Sequence, residues 1–115
     1  MSKEAIEQKL AKLMDTVPEC EGVIAADKDG KVIVGQTLTE MDHAKIAKAC
    51  VSIIKESNTL GKDLAKGSLQ NTTIELDKGF ALLVGSEKVV LIAIAGNDGK
   101  ASLGLLKRNL ISILK

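Results

Sequence analysis

An α/β (α+β) sandwich, with a five-stranded antiparallel sheet covered by helices on both faces, is the fold class this sequence predicts. Three observations carry the prediction. In Phe80 to Ala95 (FALLVGSEKVVLIAIA), two runs joined at Ser86-Glu87-Lys88 are apolar in both alternation phases, Leu82 and Val84 against Ala81 and Leu83, and Leu91 and Ala93 against Val90 and Ile92. Strands of that kind need cover on both sides, so this hairpin belongs in the middle of a sheet between helix layers. Three other segments repeat apolar residues at helical spacing, and Asp-Gly or Asp-Lys-Gly turns separate short β-branched runs.

In chain order, Ile6, Leu10, Leu13, Met14 and Val17 form one stripe of a first helix, with Ser2 as its N-cap and Pro18 as its stop. Gly22 to Asp27 and Lys31 to Thr37 flank Lys28-Asp29-Gly30 and read as a hairpin. Thr39-Glu40-Met41-Asp42 resembles a capping box, which would open a second helix ending near Asn58 to Gly61. Its apolar set (Ala44, Ile46, Ala47, Ala49, Cys50, Val51, Ile53, Ile54) is wider than one core-facing stripe requires, so part of it should meet something besides its own sheet. Leu69 to Asp77 alternates as a strand with one wet face. After Ala95, Gly96-Asn97-Asp98-Gly99 should break the chain and cap a last helix from Lys100 to Leu114. The order is α-β-β-α-β-β-β-α, and the length fits one domain over residues 1–115.

Composition narrows the function. Sixteen Lys+Arg against 15 Asp+Glu leave a formal charge of +1, so no bulk field attracts nucleic acid or an anionic membrane. Phe80 is the sole aromatic residue, which removes the stacking platforms of single-strand binders. The N-terminal segment alternates charge with apolar residues and lacks the apolar core of a signal peptide, and no run approaches a membrane span. With two cysteines in unlike settings and no C-x-x-C, reduced thiols in a soluble cytoplasmic protein are expected, although a disulfide remains open.

No catalytic, cofactor or metal site is expected. His43, the only imidazole, lacks a ligand cluster and reads as a surface histidine at a helix start. Cys50 sits among Ala47, Val51 and Ile54 as a small hydrophobe, and Cys20 is expected to be the more exposed thiol. Asp27-Lys28-Asp29-Gly30 fails as a calcium loop because Lys31, Val32 and Leu38 occupy positions that need other residues. The glycine-lysine pairs at Gly61 and Gly99 do not fit a phosphate loop, and turn chemistry explains them.

Width then asks for a second copy. Five strands at about 4.8 Å spacing make a sheet about 24 Å wide, twice what a single helix of about 10–12 Å covers. If the first and last helices share one face, the middle helix leaves part of the other bare beside an edge strand without proline. A homodimer is therefore expected through Leu69 to Leu76 and the second helix, with Ala47, Cys50, Val51, Ile54, Leu69, Asn71, Thr73 and Glu75 in the interface.

The element order, together with GVIAADKDGKVIVG (Gly22 to Gly35), the long helix from Asp42, TIELDKGFALLVGSEKVVLIAIAG (Thr73 to Gly96) and NDGKASLGLLKRNL (Asn97 to Leu110), resembles the Roadblock/dynein light chain family, including the bacterial MglB-type GTPase regulators and their archaeal relatives. The resemblance covers nearly the whole chain. It implies a profilin-like αβα sandwich, a dimer with a sheet continuous across the interface, and a noncatalytic role as scaffold or regulator of a small Ras-like GTPase. It also implies a partner platform made by the paired second helices, which here would display Asp42, His43, Lys45, Lys48, Ser52 and Lys55. The single arginine, Arg108, falls on the last helix, on the layer away from that platform. Any GTPase activation would then reorient the GTPase's own residues instead of supplying an arginine finger. The alternative is a small-ligand sensing domain of similar architecture, against which stands the shortage of convergent polar and aromatic groups.

Overall fold

A computed structural model of the chain describes residues 2–85 and 88–114. The first helix, α1 (Lys3–Thr16), starts where the Ser2 hydroxyl accepts from the Ala5 amide at 3.2 Å and buries Ile6, Leu10, Leu13 and Met14. Strands β1 (Cys20–Asp27) and β2 (Val32–Thr37) follow as an antiparallel hairpin. Its turn is built by Asp27, whose Oδ1 accepts from the amides of Asp29 (2.9 Å) and Lys31 (3.0 Å), while Gly30 takes φ +86°. Those two amide donors, Lys31 first, hold the Asp27 carboxyl below its usual range.

The remaining elements are α2 (His43–Asp63), β3 (Asn71–Leu76), β4 (Gly79–Gly85), β5 (Val89–Gly96) and α3 (Leu103–Leu114). All pairings are antiparallel and the sheet order is β2-β1-β5-β4-β3, which puts the apolar β5 at the centre and β4 beside it. Ser86 and Glu87 of the expected β4–β5 turn lie outside the described residues.

Both alternation phases are covered, as their apolar content demanded. Leu82, Val84, Leu91, Ala93 and Ala95 pack with Val23 and Ala25 under α1 and α3, where Leu10, Leu106 and Leu110 are fully buried. Each of those three leucines contributes about 1.5–3 kcal/mol by leaving water. Leu83, Val90 and Ile92 pack with Ile24 and Ala26 under α2, against Ala47, Cys50, Val51 and Ile54. The molecule is an αβα sandwich with two helices on one face and one on the other.

Three boundaries differ from the sequence reading. The N-cap of α2 is Asp42, whose Oδ1 accepts from the Lys45 amide at 3.1 Å; Thr39 does not cap, because its carbonyl is held in the preceding turn by the Thr37 hydroxyl at 2.6 Å. The helix also runs on to Asp63, past the expected end near Asn58 to Gly61. Asn58 turns its side chain out to accept from the Leu69 amide at 2.7 Å, and Thr59 bonds back to the Lys55 carbonyl, so neither breaks the helix. At Gly61 the returning chain passes so close that a Cβ would lie 2.0 Å from the Gly67 carbonyl oxygen. Third, α3 begins at Leu103, not Lys100, because Asn97–Ser102 forms a 3₁₀ turn without a side-chain cap, tied down where Ser102 Oγ donates to Glu19 Oε1.

Candidate functional site: the exposed sides of helix α2

Helix α2 presents two rows of side chains, both spaced by seven residues. Ile46, Ile53 and Leu60 form one; Lys48, Lys55 and Lys62 form the other. Seven residues return a helix to within about 20° of its starting direction, and the two-residue offset between the rows amounts to about 200°. The rows therefore run along opposite sides of the helix, with the core stripe between them below and Lys45, Ser52 and Glu56 along the crest above.

The sheet beneath fixes which side is which. Gly30, at the β1–β2 turn, lies against Lys48, where a Cβ would be 3.1 Å from its Cγ and 3.2 Å from its Cα. The lysine row thus overlooks the β2 side. Leu60 and Leu64 line an open hollow with Leu69 and Thr72, so the apolar row overlooks β3. Ile53 is 37% exposed and Leu60 58% exposed, while Ile46 is partly buried. On the sheet below, Ile74, Ala81 and Ile94 are only partly covered and Leu76 is exposed. An apolar trough follows, walled by α2 and ending at β3, an edge strand that among the described residues pairs only with β4, in unbroken register and without proline.

The expected interface residues separate in this frame. Ala47, Cys50, Val51 and Ile54 are buried against the chain's own sheet, Ile54 only 7% exposed. Asn71, Thr73 and Glu75 register with Val84, Leu82 and Phe80, on the face under α1 and α3; Thr72 and Ile74 register with Leu83 and Ala81 on the α2 face. Leu69 is partly buried beside α2.

Of the expected platform residues, Asp42, Lys45, Lys48, Ser52 and Lys55 are exposed. Asp42 is occupied as the cap, and Ser52 Oγ donates to the Lys48 carbonyl at 3.1 Å. His43 is half-buried over β2, its Nε2 3.0 Å from Thr37 Oγ1. Because the Thr37 hydroxyl donates to the Thr39 carbonyl, Oγ1 accepts from the ring, which is assigned as the Nε2–H tautomer. Nδ1 then faces Gly35, where a Cβ would sit 2.5 Å away. The histidine pins the start of α2 to β2.

Cys20, expected to be the more exposed thiol, is buried, and its Sγ donates to the Gly22 carbonyl at 3.4 Å. Burial raises its pKa, and burial alone pushes the Cys50 thiol up to about 11. The two thiols are free and lie on opposite faces of the sheet. Among the described residues no group of three His, Cys, Asp or Glu is placed to hold a metal ion, and no helix is long and apolar enough to cross a membrane.

The Roadblock/LC7 domain model matches residues 6–95, from α1 through the central strand β5. The chain belongs to the Roadblock/LC7 family. Its fold is similar to that of Myxococcus xanthus MglB, at 20% identity and a TM-score of 0.85, covering 96% of this chain and 84% of that one. It is similar to a Roadblock/LC7 domain from Streptomyces avermitilis at 17% identity and a TM-score of 0.81, covering 92% and 88%. The gliding protein MglB from Thermus thermophilus matches at 14% identity and a TM-score of 0.79, covering 96% and 89%. A search of curated protein sequences returned no significant match. At these identities the structural likeness establishes the fold, and the profilin-like sandwich of the family is the one seen here.

Proposed function

We propose that this Roadblock/LC7 chain acts as a noncatalytic homodimeric regulator or scaffold that binds a small Ras-like GTPase through a platform of paired α2 helices. The observation that carries the reading is the apolar trough beside the free β3 edge. A twofold copy laid along it would cover Ile46, Ile53, Leu60, Leu64, Ile74 and Leu76 and continue the sheet through β3 at once. The helix side of that interface passes from Ala47, Cys50, Val51 and Ile54, already spent on the core, to the neighbouring row.

Pairing along the apolar rows would leave the crests and lysine rows of both helices facing outward, which makes the platform. Arg108 is exposed on α3, across the sheet from α2, so the proposal assigns it no part in hydrolysis. Against small-ligand sensing, the hollow on the outer side of α2 is lined by Ser52, Ile53, Glu56, Ser57 and Leu60, and both serine hydroxyls donate to helix carbonyls. Purified small Ras-like GTPases, loaded with GDP or a non-hydrolysable GTP analogue, should include one that binds the chain in a nucleotide-dependent way. Thermal shifts with metabolites and no GTPase binding would overturn the proposal.

A further inference from the structure

We infer that the row Lys48, Lys55 and Lys62 is the selecting edge of the α2 platform, and that it is read by a row of carboxylates on the partner GTPase. This rests on the function proposed above and names the chemistry of the partner's face. The row spans about 21 Å of helix from Lys48 to Lys62, with a lysine about every 10 Å. All three side chains are exposed, and none enters an ion pair among the described residues. Serine and threonine beside them do not compete for a ligand, since Ser52 donates to the Lys48 carbonyl and Thr59 to the Lys55 carbonyl.

The stem of Lys48 lies on Gly30, so one end of the row is positioned by the β1–β2 turn. At that turn Lys28, Lys31 and Lys88 lie with Asp27 and Asp29, so positive charge there is partly offset, whereas the row itself contains no carboxylate. The apolar row lies about 200° away on the same helix, so closing a twofold pair leaves the lysines uncovered.

A protein face fits this row better than a polyanion. Glu56 and Asp63 project from the crest of the same helix, Asp42 caps its start, and the chain's formal charge is only +1. A phosphate-dense surface would meet those carboxylates together with the lysines. A protein face can set separate carboxylates against the lysine edge and other groups against the crest. Exposed complementary charge acts on encounter more than on residence, so association should be salt-dependent.

The test measures association and dissociation rates for each GTPase of the panel, in both nucleotide states, across a salt series. K48E/K55E/K62E should slow association of the binding GTPase by about tenfold or more at low salt and flatten the salt dependence. K55E/K62E, which keeps the Lys48 contact with Gly30, should show most of that effect, while K9E/K12E/K107E on the α1 and α3 face should show none. Binding indifferent to both α2 variants and to salt overturns the carboxylate row and leaves the platform standing. If no GTPase binds, the proposed function and this inference fail together. Lysine-dependent sedimentation with phosphatidylserine and phosphatidylcholine vesicles, in place of a GTPase, would overturn it in favour of an anionic lipid.

Discussion

Adjacent isoleucines on α2 should behave oppositely when truncated. Ile54 is buried under the helix, whereas Ile53, one residue earlier, is 37% exposed and Leu60 is 58% exposed on the trough side. Burying a whole Ile or Leu side chain is worth about 1.5–3 kcal/mol, so covering those exposed fractions in a pair is worth about 1.4–2.9 kcal/mol per protomer. Over a twofold interface the sum is about 3–6 kcal/mol, or two to four decades in dissociation constant. The double variant I53Q/L60Q keeps good helix formers on the surface and should raise the dimer dissociation constant at least about a hundredfold with the fold intact. Adding Ile54→Ala to that background should lower the urea-measured stability of the single chain by about 2–5 kcal/mol through a core cavity. Sedimentation velocity across a concentration series reads the first effect and urea unfolding the second. A double variant that associates as tightly as the parent would refute the assignment of the trough.

Other consequences follow from individual contacts. Gly35→Ala should force the His43 ring off β2 and cost about 1–3 kcal/mol in urea unfolding, as an overpacked contact does. Ala65 holds φ +57° where α2 ends, so Ala65→Gly should stabilise by about 1 kcal/mol, and a lower midpoint would contradict the strain. Asp27 has a lowered folded pKa, so its contribution is present above its unfolded value near 3.9 and is lost as pH falls through the folded one. The stability gap between the parent and Asp27→Ala should therefore shrink on acidification, and a constant gap would refute the turn's role. With a pKa of about 11 and little exposure, Cys50 should react with iodoacetamide at pH 8 far more slowly than in urea; Cys20 should be protected likewise.

The layers were legible in the sequence because apolar residues in both phases of Phe80 to Ala95 admit only a doubly covered strand. The Asp-Gly turn at Asp29 was legible for a similarly local reason. The trough residues were half visible. The apolar set too wide for one stripe contained Ile46 and Ile53 without singling them out, and the interface chosen from it was Ala47, Cys50, Val51 and Ile54, whose direction only the sheet decides. Leu60 and Leu64 were missed because Asn58 and Gly61 read as breakers. Their signal was the seven-residue continuation from Ile53, and the reason they stay helical is tertiary: Asn58 holds the Leu69 amide, and Gly61 admits the returning chain. Lys48 and Lys55 entered only as platform residues implied by the family resemblance, and Lys62 lay beyond the expected end of the helix. His43 read as a surface residue because nothing local announces Thr37 and Gly35 beneath its ring.

In the proposed dimer, a second copy completes the α2 face that one copy leaves unfinished. Size-exclusion chromatography with multi-angle light scattering tests this most directly. At micromolar concentration the mass should be twice that of the 12.1 kDa chain, falling toward the single-chain value in I53Q/L60Q. A parent protein that elutes at 12.1 kDa across that range would contradict the account.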